Sequence, residues 1–323
     1  LMVADLDSVR RVALLSESEA SVLSSPARPI VLLGRRPDAG LAPSVSPGLD
    51  SVAVMLPYTP LHHLLLDAVR GVPLVMTSGN ASDEPIAITN GEAHARLAGI
   101  ADAFLLHDRE IVARYDDSVV RVPELPTVEE RPVPLFLRRS RGYAPMPLRV
   151  PTPVDDGILA VAPHLKNTFT FASGRDAFVS QHIGDLENFE TLEAFHDAAR
   201  RFEALFKVEP VWIVRDLHPG YLSTRIAEDS PLPELPAVQH HHAHVAAVAA
   251  EHGVTDPVLG LAFDGTGYGT DGHVWGCEFL IADLISFERV GRLRYAPLPG
   301  GDKAARTPWR ALLGYASLHA DPP

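Results

Sequence analysis

Histidines spaced one helical turn apart are the feature of this sequence best suited to metal chemistry. The segment VQHHHAHVAAVAAEHG, residues 238–253, carries His240, His241, His242 and His244. Helix positions i and i+4 share a face, so His240 and His244 point the same way. With a carboxylate from elsewhere they would form an open two-histidine, one-carboxylate site for a transition metal. The alternatives are a histidine buried against the backbone and a solvated patch; His241 and His242 receive no role.

A glycine-rich segment further along the chain is typical of phosphate binding. In AFDGTGYGTDG, Asp264 follows an apolar strand and is expected in a turn with Gly265, Thr266 and Gly267. Small residues let backbone N–H groups approach an anion, and the threonine adds a hydroxyl. Asp264 is a predicted catalytic residue, able to hold a metal or to orient a water or a nucleophile. An ordinary hairpin turn is the alternative, since Asp-Gly favours turns by itself.

A turn lysine is the second predicted catalytic residue. In APHLKNTFTF, residues 162–171, Lys166 and Asn167 fall in a tight turn at the end of a strand. A lysine in that place is a natural partner for a phosphate or carbonyl oxygen. The alternative for this segment is an exposed turn lysine without a role.

Polar and basic residues in the first half of the chain form a predicted site for a small polar ligand or a nucleotide. VMTSGNASDEP places hydroxyl, amide and backbone groups at a strand end, and RRSR supplies guanidinium groups suited to phosphate. The predicted binding residues are Thr77, Ser78, Gly79, Asn80, Ser118, Arg139 and Arg141. The alternatives are a strand-to-loop turn and a basic stretch that pairs with surface acids.

These residues require two α/β regions to position them, joined near residue 150. Prolines between Pro145 and Pro153 mark the seam, and the predicted domains are 1–149 and 150–323. In the first region, strands are expected at RPIVLLGRR, DSVAVMLPY, VPLVMTSGN, DDSVVRV and PLFLRRS. Helices are expected at TPLHHLLLDAVRG, with a threonine cap and a proline at its first position, and at GEAHARLAGI.

The second region combines strand pairs with helices. A strand is expected to begin at Ile158, and a Gly-Arg-Asp turn at residues 174–176 is expected to separate two further strands. ENFETLEAFHDAARRFEALFKV predicts a long amphipathic helix, PVWIVRDL a strand, and the histidine segment a helix. The fold class predicted for the chain is therefore α/β throughout.

Composition indicates a globular protein without bulk affinity for nucleic acid or membranes. The chain has 323 residues, of which 46% are hydrophobic and 21% charged, and its net charge is −13. Nucleic acids and anionic membranes bind clustered cations, which this charge balance disfavours. No apolar run is long enough to span a bilayer. Cys277 is the single cysteine, which excludes an intrachain disulfide and predicts a cytoplasmic location.

Longer segments of the chain carry a family resemblance. LVMTSGNASDEPI, YDDSVVRV and RRSRGYAP lie in the first region, and LKNTFTFA, SQHIGDLEN, DLHPGYLSTR, VQHHHAH and AFDGTGYGTDGHVWGCEF lie in the second. The first group resembles the YrdC-like domain of the HypF family of hydrogenase maturation carbamoyltransferases. The second group resembles the ASKHA-type domain of the same family, with an actin-like ATPase, RNase H-like fold. The resemblance covers essentially the whole chain, in family order.

The resemblance implies an ATP-dependent carbamoyltransferase. In that family, carbamate from carbamoyl phosphate reacts with ATP and Mg²⁺ to give carbamoyl-adenylate. The carbamoyl group then passes to the C-terminal cysteine of the partner HypE, for synthesis of the cyanide ligands of [NiFe]-hydrogenase. Mapped onto this sequence, the resemblance implies Fe or Zn at His240 and His244, a phosphate turn at residues 264–267, and ligand loops that include Lys166, Asn167, Ser118 and residues 77–80.

The resemblance also implies a piece of a longer enzyme. The family's acylphosphatase-like and zinc-finger regions, with their zinc sites, are expected upstream, and the ASKHA domain is expected to be incomplete. The carboxylate that would be the third metal ligand is expected beyond residue 323. An O-carbamoyltransferase of antibiotic biosynthesis, which shares both domain types in reverse order, is the alternative enzyme. A nucleotide-binding fragment without turnover is the alternative outside the enzymes.

Overall fold

The computed structural model describes residues 1–81, 84–123, 133–301 and 303–319. The chain divides into two compact units. Unit 1 comprises Leu1–Leu148, Ala162–Ala172 and Ala177–Pro210, and unit 2 comprises Arg149–Val161, Ser173–Asp176 and Val211–Pro323. Residues after the proline seam therefore contribute to both units, and the division into domains 1–149 and 150–323 stays a prediction. Among the described helices, none combines the length and apolar character needed to cross a membrane.

Helices and strands alternate along much of the described chain. The helices are α1 Leu6–Val12, α2 Glu17–Ser24, α3 Pro60–Ala68, α4 Asn90–Leu97, α5 Phe189–Phe206, α6 Leu222–Glu228, α7 His240–Glu251, α8 Lys303–Arg306 and α9 Pro308–Ser317. The strands are β1 Ile30–Gly34, β2 Ser51–Val54, β3 Val119–Arg121, β4 Leu135–Arg138, β5 Leu148–Val161, β6 Phe169–Val179, β7 Trp212–Arg215, β8 Val258–Tyr268, β9 Val274–Ala282 and β10 Phe287–Arg292. The second domain is predicted to be incomplete at the end of the chain. Residues 320–323 at that end lie outside the described part.

A mixed four-stranded sheet, in the order β2-β1-β3-β4, lies at the centre of unit 1. β1 is antiparallel to β2 and parallel to β3, and β3 is antiparallel to β4. Val31 and Leu33 of β1 are buried in one apolar core with Val9 of α1 and Leu23 of α2. The apolar run that predicts this strand thus supplies the contacts between the sheet and the two N-terminal helices.

The ends of two helices in unit 1 follow from local hydrogen bonding. α3 begins as predicted, with Pro60 at its first position and the Thr59 hydroxyl accepting a backbone N–H of the first turn. α2 was not predicted, although it begins with a capping box of Ser16 and Glu19, in which each side chain accepts from the other's backbone N–H. The missed signal was therefore present in the local sequence.

The strand predicted at VPLVMTSGN is wrong. Leu74 is paired there, because it exchanges two backbone hydrogen bonds with Met2, at 2.8 and 3.0 Å. Its neighbours have no partner strand among the described residues, so the apolar segment forms a single bridge and continues as a loop. A β-prone composition is not enough without an edge to pair with.

Two predicted boundaries in the first hairpin of the second region are wrong. β5 begins at Leu148 and not at Ile158, and β6 runs as a strand through residues 174–176, where a turn was predicted. The guanidinium of Arg175 donates to the carbonyl of Pro151 on β5, which helps to keep this part of β6 extended. Pairing along the strand outweighs the turn preference of a Gly-Arg-Asp sequence.

The predicted amphipathic helix is confirmed as α5. It begins at Asn188, whose side chain accepts the backbone N–H of Thr191. Phe195 and Phe202 lie on its buried face, and their rings contact the ring of Phe169 on β6, with centroids 5.4 and 5.0 Å apart. This aromatic cluster packs α5 against the β6 segment of unit 1.

In unit 2 the turn predicted at residues 264–267 is wrong, because these residues lie within strand β8. β8, β9 and β10 form an antiparallel sheet in the order β10-β9-β8. Phe263 pairs with Cys277 and Gly267 pairs with Trp275, so the register shifts between the two pairs. β8 carries the extra residues as a bulge, which aims side chains in new directions without ending the strand.

The predicted histidine helix is confirmed as α7, which packs on β8. Its buried residues are His241, His242 and Ala249. A Cβ atom on Gly267 would lie 2.3 Å from Cε1 of His241, so only glycine allows this approach of helix and strand. Two of the histidines, and not the alanines alone, therefore form the packing face.

Candidate functional site

α7 presents His240 and His244 to one shared point in unit 2. Their Nε2 atoms lie 3.2 Å apart, and their rings are nearly perpendicular with centroids 4.7 Å apart. Gln239 caps the helix, since its side chain accepts the backbone N–H of His242. The cap fixes the first turn of α7, and with it the direction of His240.

The bulge in β8 brings Asp264 to this pair. Its Oδ2 atom lies 2.8 Å from Nε2 of His240 and 3.9 Å from Nε2 of His244. The other carboxylate oxygen accepts the backbone N–H of Gly265. One donor atom from each of the three residues lies within 4.8 Å of the others. The sequence predicts a catalytic role for Asp264 and a carboxylate ligand beyond residue 323; in the structure, Asp264 itself is a candidate ligand.

Asp216, at the end of β7, holds the other side of the His240 ring. Its Oδ2 atom lies 2.7 Å from Nδ1 of His240, and its Oδ1 atom accepts the backbone N–H of His218. Hydrogen bonds to Asp216 and then to Asp264 raise the pKa of His240 to about 9, although burial opposes them. A carboxylate at Nδ1 keeps a proton on that nitrogen. When the ring is neutral, the lone pair of Nε2 is then the one that can bind a metal.

The other two residues have pKa shifts in the direction that suits metal ligands. Burial lowers the pKa of His244, and the positive charge of His240 lowers it further. Burial acts to raise the pKa of Asp264, but the hydrogen bond from His240 makes the net shift downward. His244 is therefore a neutral donor and Asp264 an ionised one near neutral pH.

This donor set fits the transition metal that the family resemblance implies. Two imidazole nitrogens and one carboxylate oxygen are typical ligands of Fe(II) and Zn(II) where coordination positions are left open. His240, His244 and Asp264 would hold the ion, and Asp216 would orient His240. The side chain of His244 is 59% exposed, so a further ligand can approach from this side.

Asp216 is expected to control metal affinity without touching the ion. In Asp216→Asn the charge that fixes the His240 tautomer is lost, and the affinity for Zn²⁺ should fall about 10- to 100-fold. Titration calorimetry measures the affinity, and Asp256→Asn, at an exposed loop position, is the matched control. Equal affinities of Asp216→Asn and the wild type would contradict this role.

His241 and His242 have packing roles. His241 is fully buried, with Nδ1 3.2 Å from the side-chain nitrogen of Gln239. Nε2 of His242 lies 2.9 Å from the carbonyl oxygen of Asp283, and its ring lies 5.0 Å from the ring of Phe287. A histidine buried against the backbone, the alternative to a metal ligand, therefore describes His241 and His242 but not His244.

A cavity of about 610 Å³ in unit 1 gathers part of the predicted nucleotide site. Four predicted residues line it: Ser78, Asn80, Arg139 and Lys166. The Asn80 amide donates to the carbonyl of Glu84, and Arg139 donates to backbone carbonyls, including that of Met146 at 2.8 Å. These contacts fix both side chains at the wall of the cavity.

Lys166 stands on a turn that Asn167 braces. Lys166 has a φ of +49°, an uncommon left-handed conformation, and its backbone N–H donates to Asp185 at 2.6 Å. Asn167 is fully buried and its amide donates to the carbonyls of Ala162 and Pro163. The predicted turn is confirmed, and it directs the lysine to the cavity wall.

Arg141 and Ser118 do not line the cavity. The Arg141 guanidinium pairs with Asp117 at 2.7 Å and lies 3.4 Å from the ring centre of Tyr58. Ser118 is fully buried; its hydroxyl donates to the carbonyl of Arg141 and accepts the backbone N–H of Ser140. Direct ligand contact by these two residues stays a prediction.

The remaining predicted binding residues lie next to these groups. Thr77 and Gly79 belong to the loop that lines the cavity, and Gly265, Thr266 and Gly267 belong to the bulge of β8. Phosphate binding by the bulge, first predicted for a turn, stays a prediction.

An aspartate–histidine pair that the sequence does not predict also lines the cavity. Nδ1 of His182 lies 2.7 Å from Oδ2 of Asp116, across 66 residues of sequence. Arg138 at the end of β4 lies 3.8 Å from the same oxygen. The two residues occur in YDDSVVRV and SQHIGDLEN, but a contact of such long range has no local signal.

Sequence-family profiles match most of the chain in three successive segments. Residues 1–139 match the Sua5, YciO and YrdC family, described as telomere recombination. Residues 153–251 match the HypF Kae1-like domain. Residues 260–321 match the second subdomain of the carbamoyltransferase Kae1-like domain.

Curated relatives match nearly the whole of this chain. Carbamoyltransferase HypF2 of Cupriavidus necator is 45% identical over 338 residues, which cover 99% of this chain and 41% of that protein. Carbamoyltransferase HypF of Rhizobium leguminosarum is 45% identical over 332 residues, with the same shares. The chain belongs to the HypF family. It spans about two fifths of the length of these HypF relatives.

Solved HypF structures confirm the fold class. Full-length HypF in a phosphate- and nucleotide-bound form is 45% identical, with a TM-score of 0.90 over 97% of this chain and 48% of that one. HypF of T. kodakarensis is 38% identical, with a TM-score of 0.88 over 97% of this chain and 40% of that one. A YrdC-like α/β region followed by a Kae1-like region of the ASKHA type is therefore correct.

Proposed function

We propose that this chain carries the adenylating and carbamoyl-transferring residues of a HypF enzyme for [NiFe]-hydrogenase maturation. The observation that carries the proposal is the match to HypF carbamoyltransferases over 99% of the chain. The cavity lined by Ser78, Asn80, Arg139 and Lys166 supports it with groups suited to a nucleotide. Carbamoyl phosphate, MgATP and HypE are the proposed substrates and partner, and the single cysteine favours a cytoplasmic setting.

The first proposed step activates carbamate. A carbamate oxygen attacks the α-phosphorus of ATP, a new P–O bond forms, and the bond from that phosphorus to the bridging oxygen breaks as pyrophosphate leaves. Carbamate thereby gains AMP as a leaving group. Ser78 and Asn80 offer hydrogen-bonding groups for the nucleotide or carbamate, and Arg139 and Lys166 offer positive charge to the phosphates.

The second proposed step transfers the carbamoyl group. The C-terminal cysteine of HypE loses its proton, its sulfur attacks the carbamoyl carbon, and the C–O bond to AMP breaks. An Fe or Zn ion, when bound, supplies a Lewis acid that polarises an oxygen of the reacting group. His240, His244 and Asp264 would hold that ion, and Asp216 would keep the remaining proton of His240 on Nδ1, so that Nε2 faces the metal.

Isotope exchange between pyrophosphate and ATP tests the first step. With MgATP and carbamoyl phosphate or carbamate, this chain is expected to incorporate labelled pyrophosphate into ATP, because adenylation is reversible. Full-length HypF2 of Cupriavidus necator is the positive control. Exchange by the control and none by this chain would contradict an adenylation site within these 323 residues.

A further inference from the structure

The bulge of β8 lies opposite a single residue of β9. Residues 264–266, in this bulge, face Gly276, because the strands pair regularly on either side of it. A Cβ atom on Gly276 would lie 3.3 Å from the carbonyl oxygen of Asp264, so the bulge lies close over this glycine. Contacts that fix Gly276 therefore bear on where the carboxylate of Asp264, a candidate metal ligand, is placed.

The backbone N–H of Gly276 has a side-chain acceptor. The carbonyl of Cys277 accepts the N–H of Leu293, which follows β10, so the N–H of Gly276, one residue earlier, points towards β8. In a regular ladder it would donate to a carbonyl of β8, and here it donates to Oε1 of Glu278 at 3.1 Å. Because Glu278 satisfies this donor, the bulge does not have to supply the acceptor and can stay raised from β9.

A buried cation fixes Glu278 in this place. The side chain of Glu278 is 2% exposed, and its Oε2 atom accepts Nε of Arg289 at 2.6 Å. The same guanidinium donates to the hydroxyl of Tyr295 at 2.9 Å and to Asp271 at 3.3 Å. Asp271 in turn accepts Nε1 of Trp275 on β9 at 2.9 Å. With one oxygen bound to the backbone and the other to the cation, the carboxylate of Glu278 has little freedom to turn away.

We propose that Glu278 is a positioning residue for the metal site, because it holds Gly276 so that the bulge presents Asp264 to His240 and His244. Without its oxygen, the N–H of Gly276 would be left unpaired, and a carbonyl of the bulge would have to move down to it. The carboxylate of Asp264, whose Oδ2 atom lies 2.8 Å from Nε2 of His240, would then turn from the histidines. This inference rests on the metal site of the proposed transfer step.

Two double variants separate the acceptor from the charge. Glu278→Gln with Arg289→Met keeps an oxygen for the N–H of Gly276, Glu278→Met with Arg289→Met removes it, and neither leaves a buried charge. In titration calorimetry, the double variant with Glu278→Gln is expected to bind Zn²⁺ within about threefold of the wild type. The double variant with Glu278→Met is expected to bind Zn²⁺ about 10- to 100-fold more weakly, as when a residue that orients a ligand is lost.

Leu280→Val is the control for a loss of stability alone. Leu280 is buried on β9 and pairs with Gly260, away from the bulge. Its shortening should lower the melting temperature, because a buried methylene is lost, and leave the Zn²⁺ affinity within about threefold of the wild type. Thermal melting of each variant shows that it is folded at the temperature of the titration.

The outcomes distinguish this inference from the proposed metal site. Equal Zn²⁺ affinities of the two double variants would overturn the inference while the metal site stands. A loss in Leu280→Val as large as that with Glu278→Met would overturn it too. If the wild type binds no Zn²⁺, the proposed metal site fails, and crystal structures of the metal-free variants decide the inference. With Glu278→Met, a distance from Asp264 to His240 beyond hydrogen-bond range supports it, and an unchanged distance overturns it.

Discussion

The His240→Ala variant is expected to bind Zn²⁺ or Fe²⁺ more than about a hundredfold more weakly than the wild type, a larger loss than the loss of a residue that only orients a ligand causes. His240 is the central residue of the group, with Asp216 at 2.7 Å from one ring nitrogen and Asp264 at 2.8 Å from the other. Removing the imidazole of His240 removes one of the three candidate metal ligands. It also leaves the carboxylates of Asp216 and Asp264 without the ring that both contact. His244→Ala should behave similarly, since it removes a donor from the same set.

The affinity should also depend on pH in a definite direction. A metal must displace the proton from His240, whose pKa is raised to about 9 without the ion. Below that value, binding releases a proton, so the affinity is expected to rise as the pH rises and to level off only above the pKa. Titration calorimetry at several pH values, in buffers of different ionisation enthalpy, measures both the affinity and the proton release.

His252→Ala is the matched control for these variants. His252 follows α7 directly and is exposed, so its loss changes the histidine count and not the site. His242→Ala is a poorer control, because the buried ring holds the carbonyl of Asp283. Equal loss of metal from His240→Ala and His252→Ala would mean unspecific binding by histidines.

Arg289→Met is expected to destabilise unit 2 by about 3–5 kcal/mol, the cost of leaving one member of a buried ion pair without its partner. The Glu278 side chain is 2% exposed, and Nε of Arg289 lies 2.6 Å from its Oε2 atom. The guanidinium also lies 3.9 Å from the ring centre of Trp275. Without Arg289, the carboxylate keeps a hydrogen bond from Gly276 but has no compensating charge.

Urea denaturation with a double variant measures the pair itself. Glu278→Gln together with Arg289→Met removes both charges and keeps an acceptor for the Gly276 N–H, so most of the lost free energy of unfolding should return. Arg294→Met, at an exposed position just after this strand, should cost less than about 1 kcal/mol. A single Arg289→Met variant as stable as Arg294→Met would contradict a stabilising ion pair.

Local patterns predict the elements of this chain better than they predict its turns. The apolar β1, the capped α3 and the amphipathic α5 each carry their signal within one segment, and all are found. The turns expected at residues 174–176 and 264–267 lie inside strands, because the pairing of β6 with β5 and of β8 with β9 on either side of the bulge outweighs the preferences of glycine and aspartate. Such pairing joins distant residues and has no mark in a short window.

The same limit applies to the metal group. The i, i+4 spacing identifies His240 and His244, since both lie on one helix. Asp264 reaches them through a bulge, and Asp216 through the end of β7, so neither is identifiable as a partner of the pair from its own neighbourhood. Lys166 was identified because its turn is local, whereas its bracing by Asp185 is not.

The cavity in unit 1 limits which segments of this protein can be exchanged with those of other proteins. Its lining comes from residues that match the YrdC family and from residues that match the Kae1-like domain, and His182 and Asp116 join the two sets at 2.7 Å. A transplanted copy of residues 1–139 would carry Ser78 and Asn80 but would lack the wall that includes Lys166 and α5. A recombined protein that is to keep this cavity therefore has to keep both groups of residues together, although each group matches a separate family profile.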